Sequence, residues 1–274
     1  MIVVVGSGTM GSGIATSFLA AGQDVRLIDL DDGLLAAARH RIVASLRRLA
    51  NRDSALDVEG ALQRLSAATA HEHSDCALVI EAVPENIALK QAVLSAVEPL
   101  CSGHTLIATN TSSLSPTEMA SALQQPDRFL GMHFFNPVPV SSLVEVVAAR
   151  STSAAAIEKA KDWVRLLGKT PIVVRDHPGF ASSRLGLALG LEAIRMVAEG
   201  VACTGDIDTA MRLGYKHPIG PLELTDLVGL DVRLAIAEHL EAELGPRFSP
   251  PSLLREMVER GDLGKKTGKG FYDW

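Results

Sequence analysis

The stretch Ile2-Val-Val-Val-Gly-Ser-Gly-Thr-Met-Gly11 decides the fold of this chain, because an apolar run passes directly into three glycines with Gly-x-Gly-x-x-Gly spacing. Apolar residues at helical spacing follow, so the pattern predicts a strand, a tight turn and a helix. Gly6 would permit the turn, Gly8 would let the backbone approach a pyrophosphate, and Gly11 would let the helix pack closely on the strand. The predicted phosphate loop comprises Gly6, Ser7, Gly8, Thr9, Met10 and Gly11.

An acidic residue at the end of the next apolar run supports this interpretation. Tight turns use glycine as well, so the glycine pattern alone is weak. Here Val25-Arg-Leu-Ile28 ends in Asp29, about twenty residues beyond the glycines, where a carboxylate can bind the adenosine ribose hydroxyls. Two more acids follow, without an adjacent arginine. This charge pattern disfavours a 2′-phosphate and predicts NAD rather than NADP as the cofactor.

Composition limits the class of protein and its partners. With 274 residues and 47% hydrophobic residues, the chain is long enough for two folded domains and is not intrinsically disordered. Its 32 acids against 26 bases give a net charge of −6, so no nucleic-acid partner is expected. No signal peptide and no apolar span long enough for a membrane helix is recognised, which predicts a soluble, cytoplasmic protein without a membrane partner.

Cysteine and histidine spacing predicts no metal site. Cys76, Cys101 and Cys203 are odd in number and form no CxxC pair, so we expect reduced interior thiols. His71 and His73 lie in a polar stretch and His217 precedes a proline, and neither pattern resembles a zinc motif.

Strand and helix patterns alternate over the first two thirds of the chain and predict an α/β fold. After Asp176-His-Pro178 the sequence becomes helical throughout, with four leucines between 185 and 191. We predict a Rossmann-type doubly wound sheet over 1–178 and a smaller all-helical domain over 179–274. A helix over 180–199 that is apolar nearly all round would be the centre of the second domain or part of a subunit interface. The predicted strands are 2–5, 25–28, 77–83, 106–109, 128–134, 143–147 and 172–174, and the predicted helices are 11–21, 32–52, 84–98, 115–122 and 153–167.

A histidine and a glutamate in the apolar stretch 133–147 indicate acid–base chemistry. Neutral imidazole at His133 can accept a proton, and a carboxylate at Glu145 can fix its tautomer and stabilise the imidazolium. Pro137 and Pro139 force a turn before the strand pattern 143–147, so the two side chains could meet across a strand-turn-strand. The alternative is a structural histidine bonded to a backbone carbonyl, with Glu145 exposed.

Seven motifs together resemble the 3-hydroxyacyl-CoA dehydrogenase family, particularly its short bacterial 3-hydroxybutyryl-CoA dehydrogenases. The resemblance runs from Ile2 to Trp274 and implies a nicotinamide-binding domain, a helical domain that forms a homodimer, and oxidation of an (S)-3-hydroxyacyl-CoA. The motifs are Gly6-Ser-Gly-Thr-Met-Gly11, Ile80-Glu-Ala-Val-Pro-Glu-Asn86, Thr109-Asn-Thr-Ser-Ser-Leu114, Gly131-Met-His-Phe-Phe-Asn-Pro137, Asp206-Ile-Asp-Thr-Ala-Met211, Gly220-Pro-Leu-Glu-Leu224 and Leu263-Gly-Lys-Lys-Thr-Gly-Lys-Gly-Phe-Tyr272.

The same resemblance assigns roles to individual residues. It makes His133 the catalytic base and Glu145 its partner, and it puts Ser112 and Asn136 near the nicotinamide and the reacting oxygen. Further assignments are Glu85, Lys90 and Lys266 to the cofactor and Ser45, Arg52, Lys90, Ser112 and Ser183 to the acyl-CoA substrate. For the charged members, an ordinary solvated surface position is the alternative.

Two positions depart from the family pattern. Arg52 replaces a lysine, which keeps the charge and adds a planar donor fork. Ser183 replaces an asparagine after Pro178-Gly-Phe, so the substrate contact of that amide is in doubt here. Two rival functions stay open: an oxidoreductase of a free hydroxy acid or sugar acid, and a structural dinucleotide-binding protein such as a lens crystallin.

Overall fold

The computed structural model describes residues 1–70, 72 and 75–274, and His71 and His73 lie outside these described residues. Two compact units divide the chain, Met1–His177 and Pro178–Trp274. The first is built on a sheet and the second is helical. The predicted fold class, a Rossmann-type sheet domain followed by a smaller helical domain, is confirmed.

The first unit contains one sheet of eight strands in the order β3-β2-β1-β4-β5-β6-β7-β8. All neighbouring strands pair in parallel except β6 and β7, which are antiparallel. The carboxyl ends of the central parallel strands therefore meet at one edge, where ligands bind in open α/β sheets. The strands are β1 (Ile2–Val5), β2 (Val25–Ile28), β3 (Leu65–Ala68), β4 (Leu78–Glu81), β5 (Leu106–Thr109), β6 (Phe129–Phe134), β7 (Leu143–Ala148) and β8 (Thr170–Arg175).

Six helices cover this sheet and close its core. Side chains of β1, of the first helix and of Ile42 and Leu46 form one continuous apolar cluster. The helices are α1 (Thr9–Ala20), α2 (Asp32–Ala50), α3 (Val58–Gln63), α4 (Ile87–Val97), α5 (Pro116–Ala120) and α6 (Ala154–Leu166). The prediction missed α3 and β3. Leu34, in the first turn of α2, is 43% exposed.

The second unit is built from five α-helices around its own apolar cluster, which includes Leu187, Leu191, Leu222 and Leu240. The expected helix over 180–199 is present. It is not buried all round, however, because Leu185 is 72% exposed. The helices are α7 (Ser182–Ala198), α8 (Thr204–Thr209), α9 (Pro221–Val228), α10 (Leu230–Leu244) and α11 (Ser252–Glu259).

The three cysteines differ in burial. Cys76 is buried and Cys101 is half-buried, and a hydrogen bond to Cys76, together with burial, raises the pKa of the Cys101 thiol. The prediction of interior thiols is wrong for Cys203, which is exposed because it precedes α8 in a surface turn. Within the described residues, no helix combines the length and the apolar character that a membrane crossing requires.

Candidate active site

The glycine loop has the geometry that its sequence predicts. Gly6 has a φ of +97°, and a Cβ there would lie 2.6 Å from the Ala82 carbonyl oxygen. A Cβ at Gly11 would lie 1.8 Å from the Gly6 carbonyl oxygen, so only glycine allows α1 to approach the turn this closely. Gly8 differs, because nothing lies within 4 Å of its Cβ position. The space beside Gly8 is open to a ligand.

The N-terminus of α1 is also uncapped. Side chains cap the first turns of the other five helices of this unit, whereas α1 has neither a capping side chain nor an acid in its first turn. Its first amide groups and the positive end of its dipole therefore remain available. An open space in front of an uncapped helix fits the pyrophosphate of a dinucleotide.

Asp29 is linked directly to the glycine loop. Its Oδ2 accepts hydrogen bonds from the Ser7 backbone N–H and hydroxyl, both at 2.6 Å. Burial raises the pKa of Asp29, but the bonds from Ser7 and Leu30 and the Arg41 charge outweigh this and hold it below its usual value. The carboxylate is therefore ionised and half-buried at the end of β2, where a ribose would meet it.

Arg41 braces this loop, which sequence reasoning did not find. It extends from α2 and donates to the Ser7 carbonyl at 2.8 Å and to the Ser12 hydroxyl at 3.2 Å. No local pattern links positions 7 and 41, so the signal was absent from the sequence.

A buried ion pair supports the end of β4. Lys90 is fully buried and donates to both carboxylate oxygens of Glu81, at 2.9 and 3.2 Å, and to the Val83 carbonyl. Glu85 lies 3.3 Å away as a second partner. The predicted contact of Lys90 with cofactor and substrate stays a prediction, and in this structure the side chain has no exposed surface. It positions the two glutamates.

Glu85 in turn holds the loop after β5. Its Oε1 accepts from the Thr111 hydroxyl at 2.6 Å and from the backbone N–H of Ser112 at 2.9 Å. Burial raises the pKa of Glu85, yet the bond from Thr111 and the charge of Lys90 lower it below its ordinary value. Ser112 is exposed on this loop, and the Glu85 carboxylate holds its backbone N–H in place.

The central pair of the site is His133 and Glu145. These residues lie directly opposite each other in the antiparallel register of β6 and β7. His133 Nδ1 lies 2.8 Å from Glu145 Oε2, and both side chains are buried. The structural alternative, with Glu145 exposed, is wrong. Because a carboxylate only accepts at neutral pH, Nδ1 carries the proton, and Nε2 carries the lone pair that can accept another.

The loop after β6 brings Asn136 to the surface next to this pair. Asn136 is exposed, and the peptide bond to Pro137 is cis. Lys169 holds the same loop in place, because its buried amine donates to the Val138 carbonyl at 2.7 Å and to the Ser141 carbonyl. Burial lowers the pKa of this lysine. The sequence gave no indication of this role for Lys169, which lies just before β8.

Ser45 and Arg52 line one cavity with that loop. The cavity has a volume of about 220 Å³, and its walls are Ser45, Arg48, Leu49, Arg52, Pro137, Pro139 and Val140. Ser45 of α2 and Arg52, just after α2, were both predicted to contact substrate, and both lie beside the loop that carries Asn136. The mixture of arginines and proline rings suits a ligand with both phosphate and apolar parts.

The two remaining predicted residues belong to the second unit. Ser183 is half-buried in the first turn of α7. Lys266 is exposed, and its amine forms an ion pair with Asp231 at 2.6 Å. One further acid holds the C-terminal segment in place, since Asp226 accepts from the backbone N–H groups of Phe271 and Tyr272.

Comparison with known proteins decides the family. The model of the 3-hydroxyacyl-CoA dehydrogenase NAD binding domain matches residues 1–177, and the model of the corresponding C-terminal domain matches residues 179–274. The chain belongs to the 3-hydroxyacyl-CoA dehydrogenase family. It is an NAD-dependent oxidoreductase of this family, and the open, uncapped glycine loop fits that cofactor.

Relatives of this dehydrogenase share its full length. A 3-hydroxybutyryl-CoA dehydrogenase of Clostridioides difficile is 40% identical over 100% of this chain and 99% of its own length. The mitochondrial hydroxyacyl-coenzyme A dehydrogenase of Sus scrofa is 39% identical over 100% of this chain and 90% of its own. The crystal structure of an (S)-3-hydroxybutyryl-CoA dehydrogenase from Ralstonia eutropha superposes with a TM-score of 0.94 at 39% identity, covering 100% and 98% of the two chains.

Proposed function

We propose that this dehydrogenase interconverts (S)-3-hydroxyacyl-CoA and 3-oxoacyl-CoA, with His133 as the acid–base group and Glu145 as its positioning partner. One observation carries the proposal: the buried 2.8 Å contact between His133 Nδ1 and Glu145 Oε2. With Nδ1 bound to the carboxylate, Nε2 is the ring nitrogen that acts on a substrate hydroxyl in this proposal. Bound NAD supplies the hydride acceptor for C3 of the substrate.

The proton follows a short path. In the oxidative direction His133 Nε2 takes the proton of the 3-hydroxyl group, and the imidazolium that forms lies against the Glu145 carboxylate. A buried ion pair of this kind favours the charged imidazole only while the carboxylate is in hydrogen-bond contact. In the reductive direction the same nitrogen returns the proton to the oxygen on C3.

Ser112 and Asn136 orient the reacting oxygen in this proposal. A hydroxyl and a side-chain amide can donate to an oxygen that gains negative charge during hydride transfer. Both residues are exposed, and both lie on loops that side chains of other elements hold in place. Glu85 holds the backbone of Ser112 and Lys169 holds the loop of Asn136, so the two donors are preorganised.

Coenzyme A occupies the cavity at α2 in this proposal. Arg52 supplies a planar donor fork for a phosphate, Ser45 adds a hydroxyl, and Pro137 and Pro139 offer an apolar wall. Ser183 contributes a substrate contact from α7 and Lys266 a cofactor contact. The helical unit also forms the homodimer, because Leu185 and Ala188 leave an apolar stripe of α7 exposed.

A spectrophotometric assay tests the function. NADH oxidation is measured with acetoacetyl-CoA, with longer 3-oxoacyl-CoA substrates and with the free 3-oxo acids. The proposal predicts turnover of the thioesters and little turnover of the acids. Efficient use of free acids would support the rival hydroxy-acid dehydrogenase, and NADH binding without any turnover would support a structural protein.

A further inference from the structure

The Asp29 carboxylate, which we expect to bind the adenosine ribose, already accepts three hydrogen bonds within the protein. Its Oδ2 accepts from both the backbone N–H and the hydroxyl of Ser7, each at 2.6 Å. Its Oδ1 accepts from the backbone N–H of Leu30 at 2.7 Å. A carboxylate has about four lone-pair sites, which are shared equally by its oxygens. With the donors that the described residues supply, Oδ2 is fully occupied, and a single site on Oδ1 remains for a ligand.

The Ser7 hydroxyl gives its single proton to Asp29. The Leu34 carbonyl lies 3.4 Å from the same hydroxyl, but a neutral acceptor at that distance competes poorly with a carboxylate at 2.6 Å. Ser7 is only 1% exposed, so its hydroxyl cannot exchange this bond for one to bulk water. A ribose that displaced the hydroxyl would leave it buried with a poorer acceptor, which is costly.

Arg41 and Ser12 hold Ser7 in this position. The Ser7 carbonyl accepts from Arg41 Nη2 at 2.8 Å and from the Ser12 hydroxyl at 2.7 Å. Arg41 Nε also donates to the Ser12 hydroxyl at 3.2 Å, which closes a small network. The backbone of Ser7 is thus held at its carbonyl by both donors and at its N–H by Asp29. A satisfied network of this kind is rigid, so Ser7 is fixed before a ligand arrives.

We propose that Ser7 is a specificity residue of the cofactor site, which makes Asp29 bind the adenosine ribose of NAD through the 2′-hydroxyl alone rather than through both ribose hydroxyls. An acid at the end of the second strand of a dinucleotide-binding fold accepts from the 2′-hydroxyl, so the free site on Oδ1 goes to that group. The 3′-hydroxyl then has no acceptor on Asp29. The inference concerns recognition of the cofactor and does not depend on the reaction proposed for His133.

Two NADH analogues test this inference. One lacks the 2′-hydroxyl of the adenosine ribose and the other lacks the 3′-hydroxyl, and their Kd values are measured beside that of NADH by fluorescence titration without substrate. For the wild type we expect the 2′-deoxy analogue to bind about 10- to 100-fold more weakly than NADH, the range for a hydrogen bond to a charged acceptor. The 3′-deoxy analogue should bind within about twofold of NADH, because no bond to Asp29 is lost.

The variant Ser7→Ala should change this pattern. It removes the hydroxyl and keeps the backbone N–H, so the carboxylate of Asp29 can turn and offer a site on Oδ2 to the 3′-hydroxyl. The 3′-deoxy analogue should then bind about 10-fold more weakly than NADH, while the 2′-deoxy analogue stays weak as well. A purely structural effect of the substitution would instead weaken NADH and both analogues alike.

Two further variants locate the effect. Asp29→Ala should remove the penalty of the 2′-deoxy analogue, because the acceptor itself is lost. Ser17→Ala is the matched control. It removes a serine hydroxyl of α1 that donates to the Gly13 carbonyl at 3.1 Å rather than to Asp29, and it should leave the ratios of the Kd values unchanged.

Each other outcome overturns the assignment of Ser7. Equal penalties for the two analogues in the wild type would show that Asp29 binds both hydroxyls. A larger penalty for the 3′-deoxy analogue, or no penalty for either, would contradict the choice of the 2′-hydroxyl, and this wild-type comparison is decisive even if Ser7→Ala does not fold. A folded Ser7→Ala variant, checked by its Tm, that keeps the wild-type pattern also overturns the assignment. Turnover of acetoacetyl-CoA is a separate measurement, so failure of the proposed function would leave these binding results unaffected.

Discussion

At the scale of single residues, the site depends on carboxylates that hold other groups in position. Glu145 holds an imidazole, Asp29 holds the glycine loop, and Glu85 holds the loop of Ser112. Each accepts hydrogen bonds in its ionised form. The negative charges of the site are therefore fixed in position. The groups that face the ligands are neutral or polar, and the carboxylates lie behind them.

Glu145→Gln should lower kcat by about 10²-fold or more while NADH affinity stays unchanged. The amide preserves the shape of the side chain but cannot stabilise the imidazolium, and its NH₂ group can select the wrong tautomer of His133. Steady-state kinetics with acetoacetyl-CoA and a fluorescence titration of NADH measure the two quantities. An unchanged kcat would show that Glu145 is a structural acceptor only.

The lowered pKa of Glu85 predicts how the free energy of unfolding depends on pH. Its folded-state pKa lies below its ordinary value of 4.5, so its contribution is complete above about pH 4.5 and disappears as the pH falls through the folded-state pKa. Glu85→Gln should therefore have a lower Tm than the wild type at pH 7. The difference should shrink in thermal melts below pH 4.5, and a constant difference down to pH 3 would contradict the ion-pair account.

At the scale of elements, the loop between β1 and α1 contains two kinds of glycine. Gly6 and Gly11 are required by close packing, whereas Gly8 faces open space. Gly8→Ala adds a methyl group with no protein atom within 4 Å, so the Tm should change little. The methyl group enters the space assigned to the pyrophosphate, and the Kd for NADH should rise about tenfold or more. Gly103→Ala, at another glycine with open space, is the control and should change neither quantity. Unchanged NADH affinity in Gly8→Ala would show that the cofactor phosphates do not bind at this loop.

Elements with strong patterns could be predicted from the sequence, and those that depend on neighbours could not. β1, β2 and β5 are predominantly apolar runs between turn residues, and their predicted bounds equal those observed. β3 reads Leu65-Ser-Ala-Ala68, which has no β-branched residue. It forms a strand because it pairs with β2 at the edge of the sheet, a tertiary cause that its own residues do not reveal.

The same distinction applies to the site. The approach of His133 to Glu145 could be predicted because a short turn joins two strands, and antiparallel pairing then sets them opposite each other. Arg41 and Lys169 could not be assigned, since their contacts depend on elements distant in sequence. The full burial of Lys90 could not be predicted either, because a motif match says nothing about burial.

At the scale of the whole molecule, we predict a homodimer that forms through the exposed side of α7. Leu185 is 72% exposed on a helix whose opposite face forms the core of the second unit. The wild type should sediment at twice the chain mass of 29.0 kDa, and Leu185→Lys should shift the population toward monomer. Leu30→Lys, an exposed leucine of the first unit, is the control. A wild type that stays monomeric at high micromolar concentration would refute the dimer.

The central claim is that a buried histidine, oriented by a glutamate, moves the proton of an acyl-CoA substrate. The most direct measurement is the kcat for NADH oxidation by acetoacetyl-CoA in the wild type and in His133→Ala, with the Kd for NADH measured on both. We predict a loss of about 10²- to 10⁴-fold in kcat and a Kd for NADH within about twofold. Turnover by His133→Ala close to that of the wild type, with NADH binding intact, would contradict the mechanism.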